Sequence, residues 1–217
     1  MDTILFGFFL AAYVGLFLYI TAAYKKFKVN SSAILIPVVL GLVYDNTIIS
    51  TGKFIGEGTL LENLNLVRYW LHAFFTPLLV LFAWKTLEQA HIGWADTKWF
   101  TISGILVTIG LVILELVTEV FGLVVSPEWE YGVLTYSSTD ASGGPPIMVL
   151  IVSLILFISS IIIWRKQKWV WFFIGSAAMI AGSAVPLPVE SAAVTNFFEL
   201  GLLISLAATA VFQGKNK

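Results

Sequence analysis

Asp45, Arg68, His72, Glu115, Glu119 and Glu199 are ionisable side chains set inside long apolar runs of the chain. A charged side chain at the centre of a bilayer costs about 2.5–3.5 kcal/mol, so each such residue is a functional candidate by default. Tyr44 and Asn46 flank Asp45, and Asn196 precedes Glu199 by less than one helical turn. Arg68, His72 and Thr76 recur every fourth residue, as do Glu115 and Glu119, so on helices each set shares one face.

Carboxyl groups in a mostly apolar cavity suit acid/base chemistry. One can protonate an olefin, an epoxide or a leaving oxygen, and a second group can take a proton back. On this reading Asp45 and Glu199 are the acid/base pair, and His72 and Glu115 tune them. Arg68, Tyr44, Asn46, Asn196 and Glu119 contact the substrate, with Arg68 suited to an anionic head group. Carboxyls outnumber cations here, so the set needs a shared proton or a bound cation for balance. A structural reading competes, in which Arg68 forms a packing ion pair with Asp45 or Glu115.

The elements that must position these residues follow from composition. Of 217 residues, 59% are hydrophobic and 12% charged, the net charge is −1, mean hydropathy is +0.92, and there is no cysteine. Those values exclude a disordered chain and a nucleic-acid binder, and they remove disulfides, thiolate metal sites and Cys nucleophiles. A membrane-crossing helix needs ~20 apolar residues. Seven segments qualify, at about 3–23, 33–50, 64–84, 99–125, 147–164, 169–185 and 191–212. The expected fold is an all-α integral membrane protein, a seven-transmembrane-helix bundle forming a single polytopic domain over 1–217. Pro37 and Pro77 should kink their spans, while Pro186 and Pro188 should end the sixth. Glu190 should favour the start of the last helix through its dipole. Asp2 before the first apolar run, and Tyr24-Lys25-Lys26 after it, fit a first helix better than a cleaved signal.

Basic residues set the expected orientation. Lys25, Lys26, Lys28, Lys85, Lys98, Arg165, Lys166, Lys168, Lys215 and Lys217 all fall on one side; only Lys53 falls in an opposite loop. The positive-inside rule then places the N-terminus outside and the C-terminus in the cytoplasm. The expected location is a cell membrane, the plasma membrane of a bacterium. Counted at ~1.5 Å per residue, the embedded polar groups gather in the outer half of the bilayer. Trp129, Tyr131 and Tyr136 are expected in an outer interfacial belt. Gly52, Gly56 and Gly58, and the polar stretch at 126–146, are expected to form mobile outer loops, ordinary connectors by preference, with a lid as the alternative. Ala177, Ala178, Ala181 and Gly182 suit close helix packing.

Several chemistries are disfavoured. A retinal protein needs a lysine in its last span, and there is none. A catalytic zinc site needs about three protein ligands, and only His72 among the histidines lies inside a span. A carboxylate-bound Mg²⁺ or Ca²⁺ has no spacing signature here, so no cofactor is expected. The layout is similar in architecture alone to fungal integral-membrane terpene cyclases, with acidic residues in the second and seventh helices; no motif is shared. The expected partners are membrane lipids and a small hydrophobic substrate. The leading expectation is an enzyme acting on a lipid or isoprenoid. A proton- or cation-coupled transporter, or a membrane sensor, is the alternative.

Overall fold

The computed structural model describes residues 2–139, 147–184 and 191–216. Pro186, Pro188, Glu190 and the Asp140–Pro146 part of the fourth loop lie outside the described residues.

The chain is mostly helical. The helices are α1 (Asp2–Phe27), α2 (Asn30–Ile55), α3 (Thr59–Phe75), α4 (Leu78–Gln89), α5 (Lys98–Glu115), α6 (Ile147–Gln167), α7 (Trp171–Ala184) and α8 (Ala192–Lys215). With α3 and α4 taken as one broken rod, six are long and apolar enough to cross a membrane; α7 is shorter. Their packing buries one core that includes Tyr13, Leu35, Phe82, Met148, Ile163, Phe172 and Leu206.

Pro37 leaves α2 continuous. Pro77 does more: it separates α3 from α4, although Thr76 and Pro77 both keep right-handed helical torsions. Proline has no N–H to give the carbonyl one turn back, so the rod bends without reversing.

Two features depart from the expected all-α fold. First, the span expected over 99–125 stops at Val120. Its last turn, Leu116–Val120, is π-helical and closes with Phe121 N–H donating to the Leu116 carbonyl at 2.8 Å. Second, Val125–Glu130 (β1) and Val133–Ser138 (β2) form an antiparallel hairpin. Its two-residue turn places Tyr131 and Gly132 at φ +45° and +85°, the left-handed pair that matches strand twist.

The hairpin docks on the ends of α2 and α3. Leu134 and Tyr136 pack with Ile48 and Leu61. The Gly58 N–H donates to the Tyr136 hydroxyl at 2.9 Å, and the Ser138 N–H to that of Tyr69 at 3.1 Å. Tyr136 is thus a buried anchor and not part of a surface belt, whereas Trp129 and Tyr131 are exposed. Gly52 is also not in a mobile loop. It lies within α2, where a Cβ would meet the Leu134 carbonyl oxygen, so only glycine allows this approach.

The same end gathers the start of α1 and of α8. The Thr3 hydroxyl donates to the Gly132 carbonyl at 2.8 Å. The Ser191 hydroxyl donates to Asp2 at 2.5 Å and caps α8 by accepting from the Ala193 N–H. At the opposite, lysine-rich end, Gln167 and Gln213 meet, so α6 and α8 run parallel. Gly175 abuts Ser205 and Gly182 abuts Phe198, an antiparallel register for α7 on α8. Those glycines let the two helices come closer than any side chain would allow.

Candidate functional site

A cavity opens among α2, α3, α4, α6, α7 and α8, with about 110 Å³ in which the centre of a water molecule can sit. Helical periodicity builds its walls. α2 contributes Val38, Gly41, Leu42 and Asp45; α3 contributes Arg68, Leu71, His72 and Phe75, and its C-cap Thr76 continues that row. The spacing i, i+3, i+4, i+7 makes each set a single stripe. α8 adds Glu199, Leu202 and Leu203, and α6 adds a stripe that includes Ser153. The lining is thus mainly apolar, with Asp45, Arg68, His72, Thr76, Ser153 and Glu199 as its polar members.

Asp45 and Arg68 form a short ion pair, Nε to Oδ1 at 2.6 Å, with 24% and 19% of their side-chain surfaces accessible. Arg68 Nη1 also donates to Asn65 Oδ1 at 2.6 Å, and Asn65 Nδ2 donates to the Leu61 carbonyl at 2.8 Å. Asn65 is fully buried on the same stripe as Arg68. It holds the guanidinium from below while Asp45 holds it from α2. Two such anchors fix the orientation of a group that has five N–H donors to place.

His72 has a different pair of neighbours. Its Nδ1 lies 3.2 Å from the Thr76 hydroxyl, and its Nε2 lies 3.7 Å from Glu115 Oε1. Glu115 is buried, and its Oε2 has no hydrogen-bond partner among the described residues. The α5 backbone becomes π-helical directly after Glu115, and such widened turns recur at functional sites. Glu115 stands behind His72 and is not part of the cavity wall.

Glu199 differs from both. It takes part in none of the ion pairs among the described residues, which are Arg68–Asp45, His72–Glu115 and Lys85–Glu88. Its carboxyl faces the cavity without a cation of its own.

Of the substrate-contact residues expected from the sequence, only Arg68 lines this cavity. Asn46 and Asn196 bond to each other across α2 and α8, Nδ2 to Oδ1 at 3.0 Å. The buried Tyr13 hydroxyl adds a 3.3 Å bond to the Asn196 carbonyl. Tyr44 donates to the Leu64 carbonyl at 3.1 Å and so ties α2 to α3. Glu119 sits in the π-helical turn, away from the cavity wall. Ser153 in the cavity wall and Asn65 behind Arg68 are the polar residues that sequence reasoning missed. Asn65 was open to discovery, because it lies three residues before Arg68 on the stripe already noted.

Among the described residues no three His, Asp or Glu side chains converge in a way that would hold a metal ion. The arrangement instead supplies a fixed cation, an imidazole and a carboxyl that is in no ion pair among the described residues, around an apolar space. Fold and cavity define a mostly helical chain of the membrane-protein type, whose largely apolar pocket carries a few polar side chains. Comparison with protein-family models, with curated proteins and with solved structures finds no match.

Proposed function

We propose that the chain is a seven-span membrane enzyme that performs acid/base chemistry on a lipid or isoprenoid held in this cavity. The observation that carries the reading is Glu199, a carboxyl outside the ion pairs among the described residues, in an apolar-walled pocket that also holds His72 and the Asp45–Arg68 pair. Seven crossings are supported by the helix directions: α6 and α8 run the same way, so α7 must return between them. The hairpin end faces outward on this reading, because the lysine and arginine residues crowd the other end.

The roles follow from the partners. Asp45 is held by Arg68, so the pair serves as a fixed charge distribution facing the substrate. Glu199 is the proton donor, since among the described residues no ion pair holds it in the charged form. His72, steadied by Thr76 and Glu115, takes a proton from the substrate's neighbouring carbon or from an attacking group. One proton enters and one leaves, so a double-bond shift or a cyclisation is balanced without a further reactant. The apolar wall excludes water that would trap a cationic intermediate.

The test is mass spectrometry of total lipid extracts from cells making the parent chain or Glu199→Gln at equal levels. A lipid species that appears or disappears only with the parent is the expected result. Identical extracts would overturn the enzyme reading and move the weight to cation-coupled transport or sensing.

A further inference from the structure

We propose that Glu115 and Glu119 form a proton exit, which carries the substrate's proton from His72 to the hairpin end of the molecule. This deepens the acid/base reading above and rests on it for its purpose. In that reading each turnover leaves one proton on His72 and takes one from Glu199. The next turnover cannot begin until the imidazole is free again. Product fills the cavity at that moment, and the walls are mainly apolar. An exit behind His72 releases the proton without crossing the occupied space.

Glu115 stands in that place. It is 2% exposed and outside the cavity wall, and its Oε2 has no hydrogen-bond partner among the described residues. A buried carboxyl oxygen left unsatisfied is costly, so its position calls for a role. Its Oε1 lies 3.7 Å from His72 Nε2. That gap is longer than a hydrogen bond and leaves the Nε2 lone pair open; such contacts in a resting site tighten when a proton moves. On the other side of the ring, Nδ1 lies 3.2 Å from the Thr76 hydroxyl oxygen. With Nδ1–H donating there, Nε2 takes the substrate's proton. The Nε2–H bond then breaks as an O–H bond forms at Glu115 Oε1. The electron pair stays on nitrogen, and the imidazole regains its starting tautomer without turning over.

Glu119 continues the route. It follows Glu115 by four residues, in the π-helical turn, and is half-buried. Four residues bring it round to about the same side of the helix and roughly one turn nearer the hairpin. Just past this turn Phe121 meets Trp70 edge to face, with ring centroids 5.9 Å apart, which fastens the turn to the helix that carries His72. The terminal torsion of a glutamate side chain is broad and nearly two-fold, so the Glu115 carboxyl can rotate a proton taken at Oε1 toward Glu119. Glu119 then gives it to water at the hairpin end.

The experiment is ¹⁵N NMR of the purified full chain in detergent, labelled at histidine and carrying His91→Asn so that His72 is the sole imidazole. His91 has φ +53°, which asparagine tolerates. Relaxation dispersion at each protein's own His72 titration midpoint gives the rate at which the ring gains and loses its proton. Glu115→Gln and Glu119→Gln keep the shape of each side chain but cannot accept a proton. Each should slow that rate by about 100-fold, the lower end for a positioned proton acceptor. The double variant should be no slower than Glu115→Gln, because the two groups act in series. Melting temperatures equal to the parent's show that the variants fold. A parent-like rate in either single variant, or a multiplied loss in the double, would overturn the route. No lipid substrate enters the measurement. Identical lipid extracts with slowed exchange would therefore overturn only the acid/base reading, and altered extracts with a parent-like rate only the proton exit.

Discussion

The two ends of the bundle use their polar residues differently. At the lysine-rich end such residues bond to one another across helices. Gln213 Nε2 donates to the Thr86 carbonyl at 2.9 Å and to Gln167 Oε1 at 3.0 Å. Ser31 bonds to Gln89 at 3.1 Å, and the Trp169 indole N–H to the Thr209 hydroxyl at 3.0 Å. Phe82 and Phe172 pack edge to face between them. At the hairpin end Asn46 and Asn196 also tie α2 to α8, but Asp45, Arg68, His72 and Glu199 line open space, and Glu199 is in no ion pair among the described residues. Polarity inside a membrane thus becomes a lock where partners reach each other and a site where they are held apart.

The contrast can be broken most strongly at Glu199. Glu199→Gln should lower the lipid conversion about 100-fold or more, the usual scale for loss of a general acid, with the melting temperature unchanged. A variant that keeps activity would remove Glu199 from the chemistry.

Next in size is Asp45→Asn, which strands the Arg68 charge. Breaking a fully buried pair costs about 3–5 kcal/mol, and the partial exposure here reduces that to about 2 kcal/mol. Adding Arg68→Met should recover part of the loss. The measurement is a double-mutant cycle on unfolding in a detergent titration, and additive losses would show that the pair is uncoupled.

Gly52→Ala should cost about 1–3 kcal/mol, because the new methyl meets the Leu134 carbonyl and must push the hairpin away. Faster proteolysis within residues 125–138 would report the displaced hairpin. Gln213→Leu sharpens the comparison from the other end. Two interhelical hydrogen bonds at about 0.6 kcal/mol each predict a loss of about 1 kcal/mol, with lipid conversion unaffected. A fall in conversion would mean that the lock communicates with the cavity. Tyr44→Phe, which removes one bond to the Leu64 carbonyl, should cost about 0.6 kcal/mol and mark the lower limit of the series.

Much of this was legible in the sequence, for reasons that also explain the rest. Long apolar runs mark the helices directly, and spacing on α2, α3 and α8 places Asp45, Arg68, His72 and Glu199 on faces that meet. Depth along the helix could not choose the partner of Arg68. Both Asp45 and Glu115 were open to it, and the arginine side chain reaches Asp45. The hairpin was hidden because β1 reads Val-Ser-Pro-Glu-Trp-Glu, with little apolar alternation. Its stability comes from Leu134 and Tyr136 on the other strand, so the signal lies in tertiary contact. The Tyr131-Gly132 turn lacks the Asn or Asp that usually announces such a reversal. Asn46 and Asn196 look like ligand contacts in sequence because nothing there shows that they bond to each other.

The π-helical turn at Leu116–Val120 has a consequence for helix phase. An α-helix advances about 100° per residue, so one additional residue in a turn rotates everything that follows by about that amount. The direction in which the chain leaves α5 and reaches the hairpin is therefore set by how many residues the turn contains more than by which they are. Removing any one of the five should turn the hairpin away from α2 and α3, and should harm the protein more than replacing any one of them.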